Sequence, residues 1–212
     1  MISIEIIFFI ILSYLTGSFP SAVFIGKIFF NLDVREFGSG NAGATNTFRV
    51  LGYKAGFPVF FLDVMKGFLA VNYAHLLNNS FDLLEVNPEG YFEISLIFGI
   101  AAVIGHLFPI YTGFRGGKGI ATMLGVLFAI HFLSAIYSFL SFFIIMFLTR
   151  YVSVASIISS FIFMTLILFV FDTNNSLSIF SVFVPVLSLI THQKNIERLL
   201  RGEETKVIFG KK

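Results

Sequence analysis

Long apolar runs separated by short polar segments order this chain. The runs cover about residues 4–25, 56–77, 94–110, 120–132, 134–149, 152–171 and 177–191. A hydrocarbon core of about 30 Å takes about 20 helical residues to cross, so each run predicts a transmembrane helix. The expected fold is all-α: a polytopic integral membrane protein of seven spans, forming one domain over residues 1–212. The first run is interrupted by Gly17 and Pro20 and dotted with Ser13, Thr16, Ser18 and Ser21. Such small polar residues suit a helix packed against other helices, or kinked beside a cavity, more than one facing lipid. Glu5 stands where a cleaved signal would carry basic residues, so this run is expected to be retained. From Ile120 to Leu148 the apolar character is nearly continuous, too long for one crossing and short for two. A turn near His131 to Ser134 is preferred, because a single crossing would put Arg150 on the side opposite the other basic residues.

Composition agrees with this pattern. Hydrophobic residues make up 57% of the chain and charged ones 12%, about half of the roughly 25% usual for soluble domains. With a mean hydropathy of +0.91, a chain of 212 residues holds several crossings and has no room for a separate soluble domain. The lack of cysteine excludes disulfides, thiolate catalysis and cysteine zinc sites. Charge then orients the spans. With the N-terminus outside, all 14 lysines and arginines fall on or near one side: Lys27, Arg35, Arg49, Lys54, Lys66, Arg115, Lys118, Arg150 and those after Thr191. The opposite loops carry only Asp82, Glu85, Glu89, Glu93 and Asp172. This is the bias of the positive-inside rule, so the basic side and the C-terminus are expected in the cytoplasm. Arg150 helped to set the parity; the acidic segment Asn78 to Glu93 did not, and it agrees.

Three polar segments, residues 31–54, 111–121 and 191–206, then share the cytoplasmic face. In the middle one, YTGFRGGKGIA, Gly116, Gly117 and Gly119 bracket Lys118 beside Arg115. Backbone without side chains can bring several N–H groups to one oxyanion, and the lysine adds a full positive charge, so this reads as a phosphate cradle. A helix beginning near Lys118 would aim its N-terminal dipole at the same anion. A Walker loop is excluded, since Thr112 replaces its first glycine and Gly119 its metal-holding serine or threonine. No acidic cluster for a metal occurs among these loops, and neither metal nor cofactor is expected. His106 either lines the mouth of the cradle or hydrogen-bonds between helices.

The first segment contains GSGNAG, with Gly38, Gly40 and Gly43 in the spacing of a dinucleotide fingerprint. That fingerprint needs a preceding strand and a βαβ unit, which a transmembrane helix cannot supply. What remains is a glycine-rich turn followed by Ser39, Asn41, Thr45, Asn46 and the cation Arg49. A short surface helix over Ala42 to Arg49 would put Thr45 and Arg49 on one face. The competing reading is an interfacial loop that snorkels its basic residues. In the third segment, THQKNIERLLRGEETK, His192, Asn195 and Leu199 recur at helical spacing, which predicts that the last span continues as a helix into the cytoplasm. Its basic residues also serve as orientation signals.

Taken together, GSGNAGATNTFRVLG with the upstream GSFPSA, GHLFPIYTGFRGGKGIATMLG and HQKNIERLLRGEE resemble the bacterial acyl-phosphate-dependent glycerol-3-phosphate acyltransferase family over nearly the whole chain. The resemblance implies seven helices in the bacterial inner membrane with the active site facing the cytoplasm. It implies transfer of a fatty acyl group from acyl phosphate to glycerol 3-phosphate, giving lysophosphatidic acid and phosphate in phospholipid synthesis. It places Ser39, Arg49, Lys118, His192 and Asn195 at the catalytic site and Gly116, Gly117 and Gly119 in a phosphate-binding turn. Gly38, Gly40, Asn41, Thr45, Asn46 and Arg115 complete the candidates for substrate binding. The expected partners are the two substrates and the bilayer, with no nucleic acid and no obligatory protein partner. An acyl phosphate is a mixed anhydride, already activated, so alignment and oxyanion stabilisation suffice without a covalent nucleophile. The hydroxyl proton goes either to His192 or to an oxygen of the acyl phosphate, and the second route is preferred. A transporter of phosphate or small organic anions is the competing reading. The clustering of basic side chains at one face and the lack of an internal repeat speak against it.

Overall fold

The computed structural model describes residues 4–81 and 88–207, and every regular element among them is helical. Asp82 and Glu85 of the acidic segment, and the basic tail Lys211 and Lys212, lie outside the described residues. The chain divides into two compact units, Met1–Ile130 and His131–Lys212.

The first unit holds α1 (Ile4–Ser18), α2 (Ser21–Phe30), a 3-10 turn at Val34–Glu36, α3 (Ala44–Leu51), α4 (Tyr53–Phe81), α5 (Pro88–Leu107), a 3-10 turn at Ile110–Thr112 and α6 (Ile120–Ile130). The run expected as one span over 4–25 is thus two helices, bent by 42° and reaching Phe30. Pro20 is the cause, since it has no N–H to donate and disfavours helical backbone at Phe19. The helices pack backbone to backbone. A Cβ on Gly17 would lie 2.0 Å from the Ala102 carbonyl oxygen, and one on Gly105 would lie 2.2 Å from that of Tyr14, so α1 and α5 touch where neither has a side chain. Gly67 and Gly125 do the same for α4 and α6, against the carbonyls of Thr122 and Val64. Small residues allow such approach where lipid supplies no hydrophobic drive between helices. Around these crossings, Ala74, Leu77 and Phe98 form one buried apolar cluster, and Ala22, Ile25, Val34, Ala55 and Val59 another.

The second unit holds α7 (Phe132–Thr149), α8 (Val152–Phe169), α9 (Asn175–Thr191) and α10 (Gln193–Leu200). The turn expected near His131 is a one-residue break, in which the His131 ring accepts the Ser134 N–H at 3.3 Å and caps α7. Ser153, Ser156, Ser159 and Ser160 line the buried face of α8, and the Ser138 hydroxyl of α7 donates to the Ser159 carbonyl at 2.7 Å. The outward side of α7 is apolar, with Phe143, Ile144, Phe147 and Leu148 exposed, as a lipid-facing surface requires. The continuation expected beyond the last span is helical over Gln193–Leu200, but it is not collinear with that span. The helix breaks at His192, whose N–H is shared between the Ser188 and Leu189 carbonyls at 3.1 and 3.2 Å, and α10 departs from α9 at 61°.

Among the described residues four helices, α4, α5, α7 and α8, are long and apolar enough to cross a membrane alone, and taking each of the two bent pairs as one span brings the number to six. The expected span at 120–132 is shorter than predicted. With His131 taken as the cap of α7, α6 keeps 11 residues, about 16 Å against a core of about 30 Å.

Candidate functional site

In the first segment the ordering residue is Asn46. Its side chain is 2% exposed; its Oδ1 accepts the Ser39 N–H at 2.9 Å, and its Nδ2 donates to the carbonyls of Val34 at 2.7 Å and Phe37 at 3.1 Å. One amide thereby ties the chain entering the glycine turn to α3. Asn46, expected among the substrate-binding groups, therefore holds the loop's own backbone. The turn it shapes has Gly38 at φ 62° and Gly40 at φ 72°, and leaves Ser39 exposed. The expected surface helix begins at Ala44 rather than Ala42, after Gly43 as its cap. Thr45 and Arg49 are both exposed one turn apart on it, while Asn41 is half-buried in the loop before it.

The second segment lies beside the first. Arg35 Nη1 donates to the Thr112 carbonyl at 3.1 Å, and a Cβ on Gly117 would come within 3.1 Å of the Ala42 carbonyl oxygen. The two central glycines are set by close approach. Cβ atoms on Gly116 and Gly117 would lie 2.0 Å from the His106 carbonyl oxygen and 2.1 Å from its ring Nε2. The Gly117 N–H donates to the His106 carbonyl at 3.1 Å, so it points into the protein and does not serve as a donor to an outside anion, as the cradle had implied. Gly119, at φ 78°, turns the chain into α6, which starts at Ile120, two residues after the expected position. Lys118 is half-buried and Arg115 exposed at the same loop. His106 itself is 5% exposed, with Nδ1 3.1 Å from the Thr122 hydroxyl, and so takes the inter-helix role of its two readings.

A groove of about 670 Å³ runs along this loop, with Lys27, Arg35 and Arg115 as its cations and Val23, Phe24 and Ile28 as its apolar wall. Sequence reasoning passed over Lys27 and Arg35 as site residues. Asp33 organises them: its carboxylate pairs with Arg35 at 2.8 Å and Lys27 at 3.4 Å, and the Arg35 guanidinium holds the Asp33 carboxyl well below the usual carboxylate range. The Asp33-x-Arg35 spacing, with the backbone N–H of Arg35 also bonded to Asp33 Oδ1 at 3.1 Å, was the available signal.

His192 and Asn195 belong to the second unit. His192 is 2% exposed, and its Nδ1 sits 2.8 Å from the Ser188 carbonyl oxygen. A carbonyl can only accept, so Nδ1 carries the hydrogen and Nε2 is the basic nitrogen of the neutral ring. Asn195 donates to Glu204 Oε1 at 2.6 Å, Ser153 donates to the same oxygen at 2.9 Å, and Arg198 Nε donates to Oε2 at 2.8 Å. Glu204 therefore fixes Asn195, a role the sequence did not disclose because the acid lies nine positions beyond it. Burial raises the Glu204 carboxyl, but these hydrogen bonds outweigh it and hold the group below its ordinary value. Among the described residues no group of three histidines or acids is placed to hold a metal.

A family model described as glycerol-3-phosphate acyltransferase matches residues 7–202. A glycerol-3-phosphate acyltransferase of Staphylococcus saprophyticus is 45% identical over 206 residues, covering 95% of this chain and 98% of that protein. One of Enterococcus faecalis is 42% identical over 97% of this chain and 94% of its own. Among solved structures, PlsY, an integral membrane glycerol 3-phosphate acyltransferase, in its glycerol 3-phosphate form superimposes with a TM-score of 0.83 at 37% identity, covering 96% of both chains. Its lysophosphatidic acid form gives 0.81 at 36% identity.

Proposed function

Because the chain belongs to the glycerol-3-phosphate acyltransferase family, we propose that it moves a fatty acyl group from acyl phosphate to glycerol 3-phosphate in phospholipid synthesis, releasing inorganic phosphate and lysophosphatidic acid. The carrying observation is the junction of two glycine-rich segments, with Ser39, Thr45 and Arg49 on one and Arg115 and Lys118 on the other, at the edge of an apolar helical unit. Both substrates are phosphate esters or anhydrides, and these cations match them. The groove beside the junction, cationic along one side and apolar along the other, has the character of an acyl phosphate itself.

In the step, the glycerol hydroxyl oxygen bonds to the acyl carbon and the acyl–phosphate C–O bond breaks. The phosphate leaves with the electron pair, and the hydroxyl proton passes to one of its oxygens. That substrate-assisted route leaves His192 Nε2 to bind and orient. If His192→Ala keeps kcat and raises the KM for glycerol 3-phosphate, His192 is a binding group; if kcat collapses with KM unchanged, it is the base.

Seven passes, an outside N-terminus and a cytoplasmic site in the bacterial inner membrane complete the reading. They require α6 to finish a short crossing where the bilayer thins locally. The test uses purified protein in lipid nanodiscs with glycerol 3-phosphate and either acyl phosphate or acyl-CoA. Lysophosphatidic acid formed from acyl phosphate alone supports the donor assignment. Anion uptake into liposomes without acylation would support transport and overturn the proposal. Arg49→Ala and Lys118→Ala are each expected to lower kcat/KM about 10- to 150-fold, the loss of one charge-assisted hydrogen bond of about 1.5–3 kcal/mol. Substitution of Lys211 and Lys212 leaves it unchanged.

A further inference from the structure

Beneath the glycine turn lies a set of buried ionisable groups that the reaction does not use. Asp63 and Lys66 stand one turn apart in α4, 1% and 5% exposed, with Lys66 Nζ 2.9 Å from Asp63 Oδ1. Lys66 also donates to the Phe19 carbonyl at 3.1 Å, at the break between α1 and α2, and the Ser21 hydroxyl donates to Asp63 Oδ1. On its other side Asp63 Oδ1 is 3.5 Å from His106 Nδ1, which the Thr122 hydroxyl of α6 also meets at 3.1 Å. A cavity of about 10 Å³, room for about one water, touches Ser18, Lys66, His106, Gly116 and Gly117. Ionisable groups inside an apolar span are costly, and a buried ion pair is weak evidence for stability, so their use is sought elsewhere.

Asp63 and Thr122 meet at His106, and Lys66 reaches it through Asp63. The His106 carbonyl accepts the Gly117 N–H, and the His106 ring occupies the space a Gly117 side chain would need. We propose that Asp63, Lys66 and Thr122 are positioning residues that lock the His106 ring, and that His106 in turn is the seat setting the height of the Gly116–Gly117 turn and hence of Lys118. The inference rests on the reading of the turn as a substrate-binding element. None of the four is a catalytic residue: Asp63, Lys66 and Thr122 act on the turn through His106, and His106 supports it from below.

The experiment compares purified full-length variants in nanodiscs, reading kcat, KM for glycerol 3-phosphate, and the thermal shift produced by inorganic phosphate. Gly117→Ala is expected to lower kcat/KM about 100-fold, as a misplacement of about 1 Å does. Adding His106→Ala to it empties the clashing space and is expected to restore at least about fivefold, a coupling that independent sites do not show. Thr122→Val keeps volume and helix but frees the ring, and is expected to raise KM and shrink the phosphate shift while the melting temperature without phosphate holds. Asp63→Asn and Lys66→Met extend the test if they fold; Thr122→Val and the glycine pair decide it if they do not. The proposal fails if the double variant is no better than Gly117→Ala, or if Thr122→Val matches wild type in KM and phosphate shift. Wild-type protein without acyl transfer would overturn the proposed reaction instead, and the phosphate shifts would still report on the seat.

Discussion

Asn46 shows how one amide fixes a loop that glycines alone would leave open. Its acceptor holds Ser39 and its two donors hold Val34 and Phe37, from a side chain that is itself buried. Asn46→Ala removes the partner of the buried Val34 carbonyl and frees the Ser39 N–H and Phe37 carbonyl, and is expected to lower stability by about 1–3 kcal/mol and activity with it, read by thermal unfolding and acyl transfer. Glu204 makes a second residue-level prediction. Its carboxyl is more acidic in the folded protein than unfolded, so the stability it supplies is complete above the ordinary glutamate range and fades as pH falls through the lower folded value. The melting-temperature gap between wild type and Glu204→Gln is therefore expected to be full at pH 7 and to close on acidification; a gap constant across that range would sink the assignment. At this scale the sequence disclosed which residues are chemical but not which atoms are already engaged. Asn46 and Arg49 look equally available in a string, and only the buried side of α3 separates the first from the second. Asp63, Lys66 and His106 are likewise 43 positions apart at the extremes, and no local pattern brings them to one point.

At the scale of elements, the apolar runs predicted the helices well in their centres, and poorly at their ends. The run over 94–110 falls on a helix that starts earlier, at Pro88, and ends earlier, at Leu107, and Asn78 to Glu93, read as a loop, is helical at both ends, over 78–81 and 88–93. Polar residues can close a long helix beyond the bilayer, so loss of hydropathy marks the lipid boundary rather than the last hydrogen bond. The bend at His192 was invisible for a different reason. His192, Asn195 and Leu199 keep helical spacing across a break of one residue, and periodicity carries no direction. Helix crossings, by contrast, are decided by single atoms. Gly105→Ala inserts a methyl group 2.2 Å from the Tyr14 carbonyl and 2.8 Å from the Ser18 N. It should force α1 from α5 and cost about 1–3 kcal/mol by overpacking, whereas Gly52→Ala, with nothing within 4 Å, carries only the strain of its φ of 79°. Thermal melts of the two variants in one detergent decide between crowding and strain as the larger effect.

For the whole molecule, the one-sided distribution of lysine and arginine yields a topology that the chain's own composition makes easy to test. It has no cysteine, so each introduced thiol reports alone. A membrane-impermeant maleimide applied to intact cells is expected to label Asp172→Cys at once, and Lys54→Cys or Arg201→Cys only after lysis. Labelling of Lys54→Cys and Asp172→Cys from the same side would remove the seven-pass arrangement, and the reverse pattern would invert it. The seat under Gly116 and Gly117 has a consequence that reaches beyond the single molecule. Every point mutation of a glycine codon that changes the residue adds at least one carbon, and here each such carbon meets the main chain or ring of His106. A compound that gripped this stretch of backbone would leave a growing population few viable routes of resistance at those two positions.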